Sequence, residues 1–252
     1  MHSHNNKFRI ALAILCLGAG SAHAVKGYVV TEEVQTPGGQ TQRKVTYLSE
    51  TAQRSEAPEG TALLVLKNAD LKLYQIDDKA RVVKDSSALA PMMLMAYTVF
   101  LDRGADGKPQ IRPDFATATD ETKPVGKWTA RKVVTRPMGT TAYGWYTKDS
   151  PEMIGADRMR MKFFTTATES FMKPRLSSPQ AVKEVATINK LVTEFSEKMI
   201  HDYGAPVMTE IGVGSGRMAE TRVVSVESRD IPESLFELPE GYKMESATLS
   251  PK

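Results

Sequence analysis

The stretch TALLVLKNADLKLYQI, residues 61–76, decides the fold class. Thr61 to Leu66 is a short, continuous apolar run and reads as a buried strand. Asn68-Ala69-Asp70 supplies turn chemistry, and Leu71 to Ile76 follows as a second strand with apolar residues recurring at alternate positions. Asp77-Asp78-Lys79-Ala80 reverses the chain once more into Arg81-Val82-Val83. Strands this short, joined by turns this tight, predict an antiparallel meander.

The pattern extends in both directions. Upstream, residues 25–36 are rich in β-branched side chains, Pro37-Gly38-Gly39 provides a reversal, Lys44 to Leu48 is a second strand, and Pro58-Glu59-Gly60 turns the chain into the decisive stretch. Downstream, Ala88 to Leu101 is apolar over more residues than a strand uses, and predicts a helix with Pro91 in its first turn, ended by Asp102-Arg103-Gly104. Residues 105–124 read as an irregular crossover. Strand patterns resume at 126–135 and 140–147, which carry Trp128 and Trp145.

The clearest helix runs from an N-cap at Ser178, with Pro179 at the first position, to a stop at Gly204 and Pro206. Val182, Val185, Ile188, Val192, Phe195, Met199 and Tyr203 form one apolar stripe at three- and four-residue spacing. Such a stripe needs a partner, and the sheet is the expected one. The chain then gives a further hairpin, Val207 to Ile211 and Thr221 to Val226 around Gly212-Val213-Gly214-Ser215-Gly216, and a short helical turn at 231–236 that docks Leu235, Phe236 and Leu238. No repeat or low-complexity linker divides the chain, so residues 25–252 are expected to form one domain.

The first residues have the order of a cleavable export signal: Lys7 and Arg9, an apolar run from Ile10 to Leu17, and Ala22-His23-Ala24 as a small-x-small cleavage site. The run is shorter than the roughly 20 residues a bilayer span needs. Leu15 stands where a lipoprotein signal needs a small residue, which speaks against an acylated Cys16. Cleavage after Ala24 removes the single cysteine and three of the four histidines. The expected mature protein is therefore periplasmic, free of disulfides, and held by an ordinary hydrophobic core. Its charge is near balance, from 33 basic against 30 acidic residues in the full chain, and gives no basic field for nucleic acid.

Three segments carry a resemblance. Val45-Thr46-Tyr47-Leu48 leading to Arg54-Ser55-Glu56, the two strands between Gly60 and Val83, and the motif from Ile231 to Lys243 resemble exported bacterial proteins of unknown function of the DUF4412 type. Those are similar in turn to the periplasmic carriers and lipid-binding proteins of the LolA and LppX kind. The resemblance implies an α+β, mostly antiparallel protein: a curved half-barrel sheet with helices packed on its concave face, able to receive acyl chains. It supplies no catalytic residue. Many such proteins carry a cysteine in the strand corresponding to Trp128–Val134, and this chain has none.

Several residues invite sharper readings. His201, the one histidine left after export, sits at a helix end, where a cationic side chain is favoured by the terminal carbonyls without any catalytic role. The Gly212–Gly216 run fails both the GxGxxG and the GxSxG patterns and reads as a hairpin loop. Asp102, Asp106 and Lys108 lack the acidic alternation of a calcium loop. Lys123, Lys127, Arg131, Lys132 and Arg136 read as a solvated strand face. Met92, Met93 and Met95, with Met159 and Met161, admit three readings: core packing, a deformable apolar binding surface, or thioether ligation of Cu(I) through Met-x-Met spacing.

The function expected from these observations is non-enzymatic, with no cofactor or metal: a periplasmic protein holding a lipid, an apolar ligand or a lipidated partner between sheet and helices. Met92, Met93, Met95, Val185, Val192, Phe195 and Met199 are the expected lining. The alternatives are a structural or interaction protein of the envelope with a filled core and, more remotely, a hydrolase or a copper(I)-binding protein.

Overall fold

The computed structural model describes residues 23–36, 38–68, 70–90, 92, 94, 98–137, 141–213 and 217–246. Residues 1–22, which hold Cys16 and most of the expected export signal, lie outside the described residues, as do Met93, Met95 and the tip of the glycine-rich loop at 214–216.

The strands are β1 (Ala24–Gln35), β2 (Thr41–Leu48), β3 (Ala52–Ala57), β4 (Gly60–Lys67), β5 (Asp70–Asp77) and β6 (Val82–Asp85). After them come β7 (Leu101–Arg103), β8 (Pro109–Ile111), β9 (Ala116–Val125), β10 (Trp128–Thr135) and β11 (Ala142–Thr147). Helices α1 (Pro151–Met172) and α2 (Pro179–Tyr203) precede β12 (Ala205–Val213), β13 (Arg217–Pro232) and β14 (Lys243–Ser246). Twelve strands form one open sheet in the order β14-β6-β5-β4-β3-β2-β1-β13-β12-β11-β10-β9, and β7-β8 is a separate hairpin. Every pairing in the large sheet is antiparallel except β14 with β6. The protein is thus mostly antiparallel β with two long helices, and its sheet does not close.

The meander follows the expected order, and β4 shows why its sequence is apolar without interruption. Successive side chains of a strand point to opposite faces, yet Leu63 and Leu64 are both buried. Leu64 and Leu73 meet Phe163 and Phe164 of α1 on one face. Leu63, Ile76 and Val83 meet Phe236, Leu238 and Tyr242 of the C-terminal segment on the other. That segment includes the short 3-10 turn Glu233–Phe236.

Helix α1 starts at the N-cap Ser150, whose hydroxyl accepts from the Met153 backbone N–H, with Pro151 in the first turn. It lies on the sheet over β1, β2, β5, β12 and β13. The approach is close at Gly155, where a β-carbon would strike the Tyr28 hydroxyl from β1. Its N-terminal half covers a core of Val30, Leu48, Trp128, Trp145, Val207 and Val223.

Three segments depart from their sequence reading. Helix α2 begins and ends as expected, with Ser178 accepting from Ala181 N–H and Gly204 closing it, but its stripe does not lie on the large sheet. It packs against α1 and the β7-β8 hairpin, because α1 already covers the sheet. The segment 88–101 is not one helix: 87–89 form a 3-10 turn, helical residues follow at 90, 92 and 94, residues 98–100 turn, and Leu101 opens β7. Residues 105–124 contain β8 and most of β9 rather than an irregular crossover.

Candidate functional site

Where α1, α2 and the sheet converge, a cavity of about 220 Å³ is lined by side chains from seven segments. Phe100 precedes β7, Phe115 precedes β9, Met161 comes from α1, and Phe195 and Met199 come from α2. The three rings form a tight group. Phe195 stacks on Phe100 at 4.3 Å between centroids, and Phe115 meets both edge-on at 5.5 and 5.7 Å. Such edge-to-face and offset geometries suit the ring quadrupoles. Ile188, Val192, Leu101 and Ile111 extend the apolar cluster behind them.

Polar groups also line this cavity. Thr135, Tyr146, Asp157 and Ser196 line it together with the backbone around Gly204. Gly204 has φ of 88°, and a β-carbon there would collide with the Thr147 carbonyl, so only glycine lets the chain pass directly from α2 into β12. Burial raises the pKa of the Asp157 carboxyl, the nearby Glu197 adds to that rise, and Arg160, at 3.5 Å, only partly opposes it. Tyr146 is likewise raised, mainly by burial, then by the charges of Asp157 and Tyr203. Both groups therefore keep their protons more firmly than they would in water.

Two further contacts hold α2 onto α1. Arg158 forks onto Glu197 with three N–H···O bonds of 2.8 to 3.1 Å, and the Asn189 side-chain amide donates to the Thr165 carbonyl at 3.1 Å. Helix α2 itself buries only Val192 and Ile200 fully.

A larger space of about 430 Å³ opens on the sheet over β2–β6. It continues the face that carries α1. Leu48, Gln53, Leu64 and Leu73 form the covered cross-strand row; in the adjoining row Thr46 is buried, and Ser55, Ala62, Gln75 and Lys84 line the space. Thr46 and Ser55 bond to each other at 3.1 Å, and Lys44 pairs with Glu32 at 3.1 Å. An alkyl chain placed here would strip water from these polar groups without pairing them. The smaller, ring-lined cavity is the better apolar site.

The residues expected to line a ligand site separate accordingly. Phe195 and Met199 line the cavity, and Val192 is buried in the adjoining cluster. Val185 is half-buried on α2 and does not line the cavity, while Met92 is 63% exposed. Met93 and Met95 lie outside the described residues. Phe100, Phe115, Tyr146 and Asp157 were not anticipated, and Met161 was singled out only among the methionines with three open readings. Their segments are far apart in the chain, and only the unread helix α1 brings them together.

The remaining motifs have local explanations. Met159 and Met161 are both on α1, where residues two apart lie on opposite sides. Met159 packs against the sheet core and Met161 against the phenylalanine cluster, so the pair cannot clasp one copper ion. Among the described residues no cluster of three or more His, Cys, Asp or Glu could hold a metal. Asp106 already pairs with Lys108 at 2.8 Å in the β7-β8 loop. His201 is 88% exposed in the last turn of α2, with Nδ1 2.9 Å from Asp202. The basic strand residues meet partners: Lys123 bonds Glu210 at 3.2 Å and covers the Trp145 ring, Lys132 bonds Glu121, and Arg131 bonds Asp120. No described helix is long and apolar enough to cross a membrane.

No family model matches the chain. Over 236 residues it is 29% identical to an uncharacterized protein of Aquifex aeolicus (strain VF5), covering 86% of this chain and 81% of that one. Among solved structures it is similar to PNGF-II in the C2 and P21 space groups, with TM-scores of 0.38 and 0.37 and sequence identities of 12% and 10%. These alignments cover 89% and 88% of this chain but only 31% and 32% of the PNGF-II chains, so it spans about a third of their length.

Proposed function

We propose that this protein is exported to the periplasm by its first 24 residues and there holds a lipid-like or apolar molecule, or the lipid of a lipidated partner, without catalysing a reaction. In this reading the sheet is a half-barrel of the LolA-like, DUF4412-like kind, and the helices lie over its concave face. The observation that carries it is the cavity of Phe100, Phe115, Phe195, Met161 and Met199 beneath α2. Three rigid rings and two adaptable thioethers make an apolar lining that accepts differently shaped chains. Each methylene buried there gains about 0.8 kcal/mol. Helix α2 is the movable wall: it buries few of its own residues and rests chiefly on α1 and the β7-β8 hairpin.

A second reading has its own support. The cavity, at about 220 Å³, is smaller than the roughly 300 Å³ at which small-molecule pockets begin. A structural or interaction protein of the envelope would be filled in this way. Native mass spectrometry of protein released gently from the periplasm separates the two. A co-purifying mass in the lipid range is expected. Clean protein that also ignores added fatty acids and lipopeptides would leave the structural reading standing alone.

A further inference from the structure

The cavity is lined by apolar and polar side chains together, and the ligand it suits should have both parts as well. The apolar half of the lining is the phenylalanine cluster with Met161 and Met199, and the polar half includes Asp157 and Tyr146. A purely hydrocarbon ligand would leave that polar half without partners. Among the described residues Asp157 accepts one hydrogen bond, from Arg160 at the long distance of 3.5 Å, and none joins the Tyr146 hydroxyl to another described residue. The pocket therefore holds hydrogen-bonding capacity that the fold itself does not use.

We propose that Asp157 and Tyr146 form the head-group end of this cavity and donate hydrogen bonds to the carbonyl oxygen of an uncharged acyl ester, whose alkyl chain lies against Phe100, Phe195 and Met199. The proposal rests on the carrier reading above and adds the chemical class of the ligand. It requires both groups to be donors. Burial favours the protonated carboxyl of Asp157 and the neutral phenol of Tyr146. Of the charged neighbours, Arg160 works against this and Glu197 with it. On α2, Glu197 opposes a second negative charge near Asp157, although Arg158 holds it as a carboxylate. On α1, Arg160 is the one cation among the described residues that pairs with Asp157. On the strand side stands Tyr146, with Tyr203 at the end of α2 beside it. A ligand carboxylate would face this group at a cost, whereas an ester carbonyl accepts from it without bringing charge.

The experiment compares methyl laurate, dodecane and sodium laurate by native mass spectrometry and calorimetry at pH 7, using the full chain and its Asp157→Asn, Asp157→Ala and Tyr146→Phe variants. Wild type should bind methyl laurate about tenfold more tightly than either dodecane or laurate. Asp157→Ala and Tyr146→Phe should each remove most of that preference, read as the ratio of ester to dodecane affinity within the same variant. Asp157→Asn, which still carries an N–H donor, should keep it. Equal binding of ester and alkane by the wild type, or an ester preference untouched by Asp157→Ala and Tyr146→Phe, would overturn the head-group assignment and leave the carrier reading intact. Laurate bound more tightly than its ester would overturn it too. If none of the three probes binds, the carrier reading fails, and this assignment with it.

Discussion

Asp157 occupies a position where ionisation is unfavourable, on the inner side of α1 facing β11 and α2, and its protonation should be visible in stability as well as in binding. Its folded pKa is raised above the ordinary 3.8, so between 3.8 and the folded value the native state binds more protons than the unfolded chain. Stability then falls as pH rises through that window, and the penalty is complete above the folded pKa. Asp157→Asn removes the titration while keeping the shape. The variant should be more stable than wild type at pH 7, and the advantage should shrink and vanish as pH drops below 3.8. Thermal or urea unfolding of both proteins from pH 3 to pH 8 tests this. A constant difference across the range would show that the carboxyl ionises freely in the fold. The Glu197–Arg158 fork makes no comparable demand, since both partners are about half exposed and such pairs contribute little.

Among the elements, the two helices are held to different degrees. Helix α1 buries six residues along its length between sheet and α2, including Met153, Phe163, Phe164 and Phe171. Helix α2 buries two, and it packs chiefly against α1 and the β7-β8 hairpin, where Arg103 reaches Glu184. Elements with few buried contacts open locally at lower free energy. Amides in residues 183–191 of α2 should therefore exchange with solvent at least about tenfold faster than those in residues 156–167 of α1. Native-state hydrogen exchange measures it, and equal protection would mean that α2 is no movable wall.

The same contrast explains which helix the sequence disclosed. Helix α2 has one wet face, so its apolar residues fall into a clean stripe between recognisable caps. Helix α1 is covered on two sides, and its apolar residues surround the axis: Met159 meets the sheet core, Met161 the phenylalanine cluster and Phe164 the β4-β5 core. That wraps the periodicity away. Its Ser150-Pro151 cap is the same signal as Ser178-Pro179 and was the one legible trace. Strand β9 was hidden for a related reason. It is an edge strand, where Asp120, Glu121 and Pro124 and an irregularity opposite Arg131–Val133 discourage further pairing. A polar, proline-containing edge resembles a loop. The meander from β4 to β6 was readable because local turns set its register. The cavity was not, because Phe100, Phe115, Tyr146, Asp157 and Phe195 meet only through the tertiary fold.

For the whole molecule, the decisive feature is that the open sheet is covered differently on its two faces. Helix α1 covers one. On the other, the chain end returns to roof Leu63, Ile76 and Val83, none of which is more than 2% exposed. This return is fastened at several points: Arg54 donates to the Leu235 carbonyl, the Tyr242 hydroxyl bonds Asp78 at 3.0 Å, and β14 pairs in parallel with β6. The three roofed residues contribute about 1.5–3 kcal/mol each when fully buried. Against a typical domain stability of about 5–15 kcal/mol, their exposure is a large fraction of the total. Ending the chain after Pro232 should therefore lower the urea midpoint by about half or more. It should also leave β6 as a bare edge with Val82 and Val83 available for pairing between molecules, so the shortened protein should associate as concentration rises. Phe236→Ala with Leu238→Ala keeps β14 and removes only the roof; it should lose stability without associating. If both variants unfold like the wild type, the sheet stands without its C-terminal cover, and the burial of Leu63, Ile76 and Val83 contributes little to the fold.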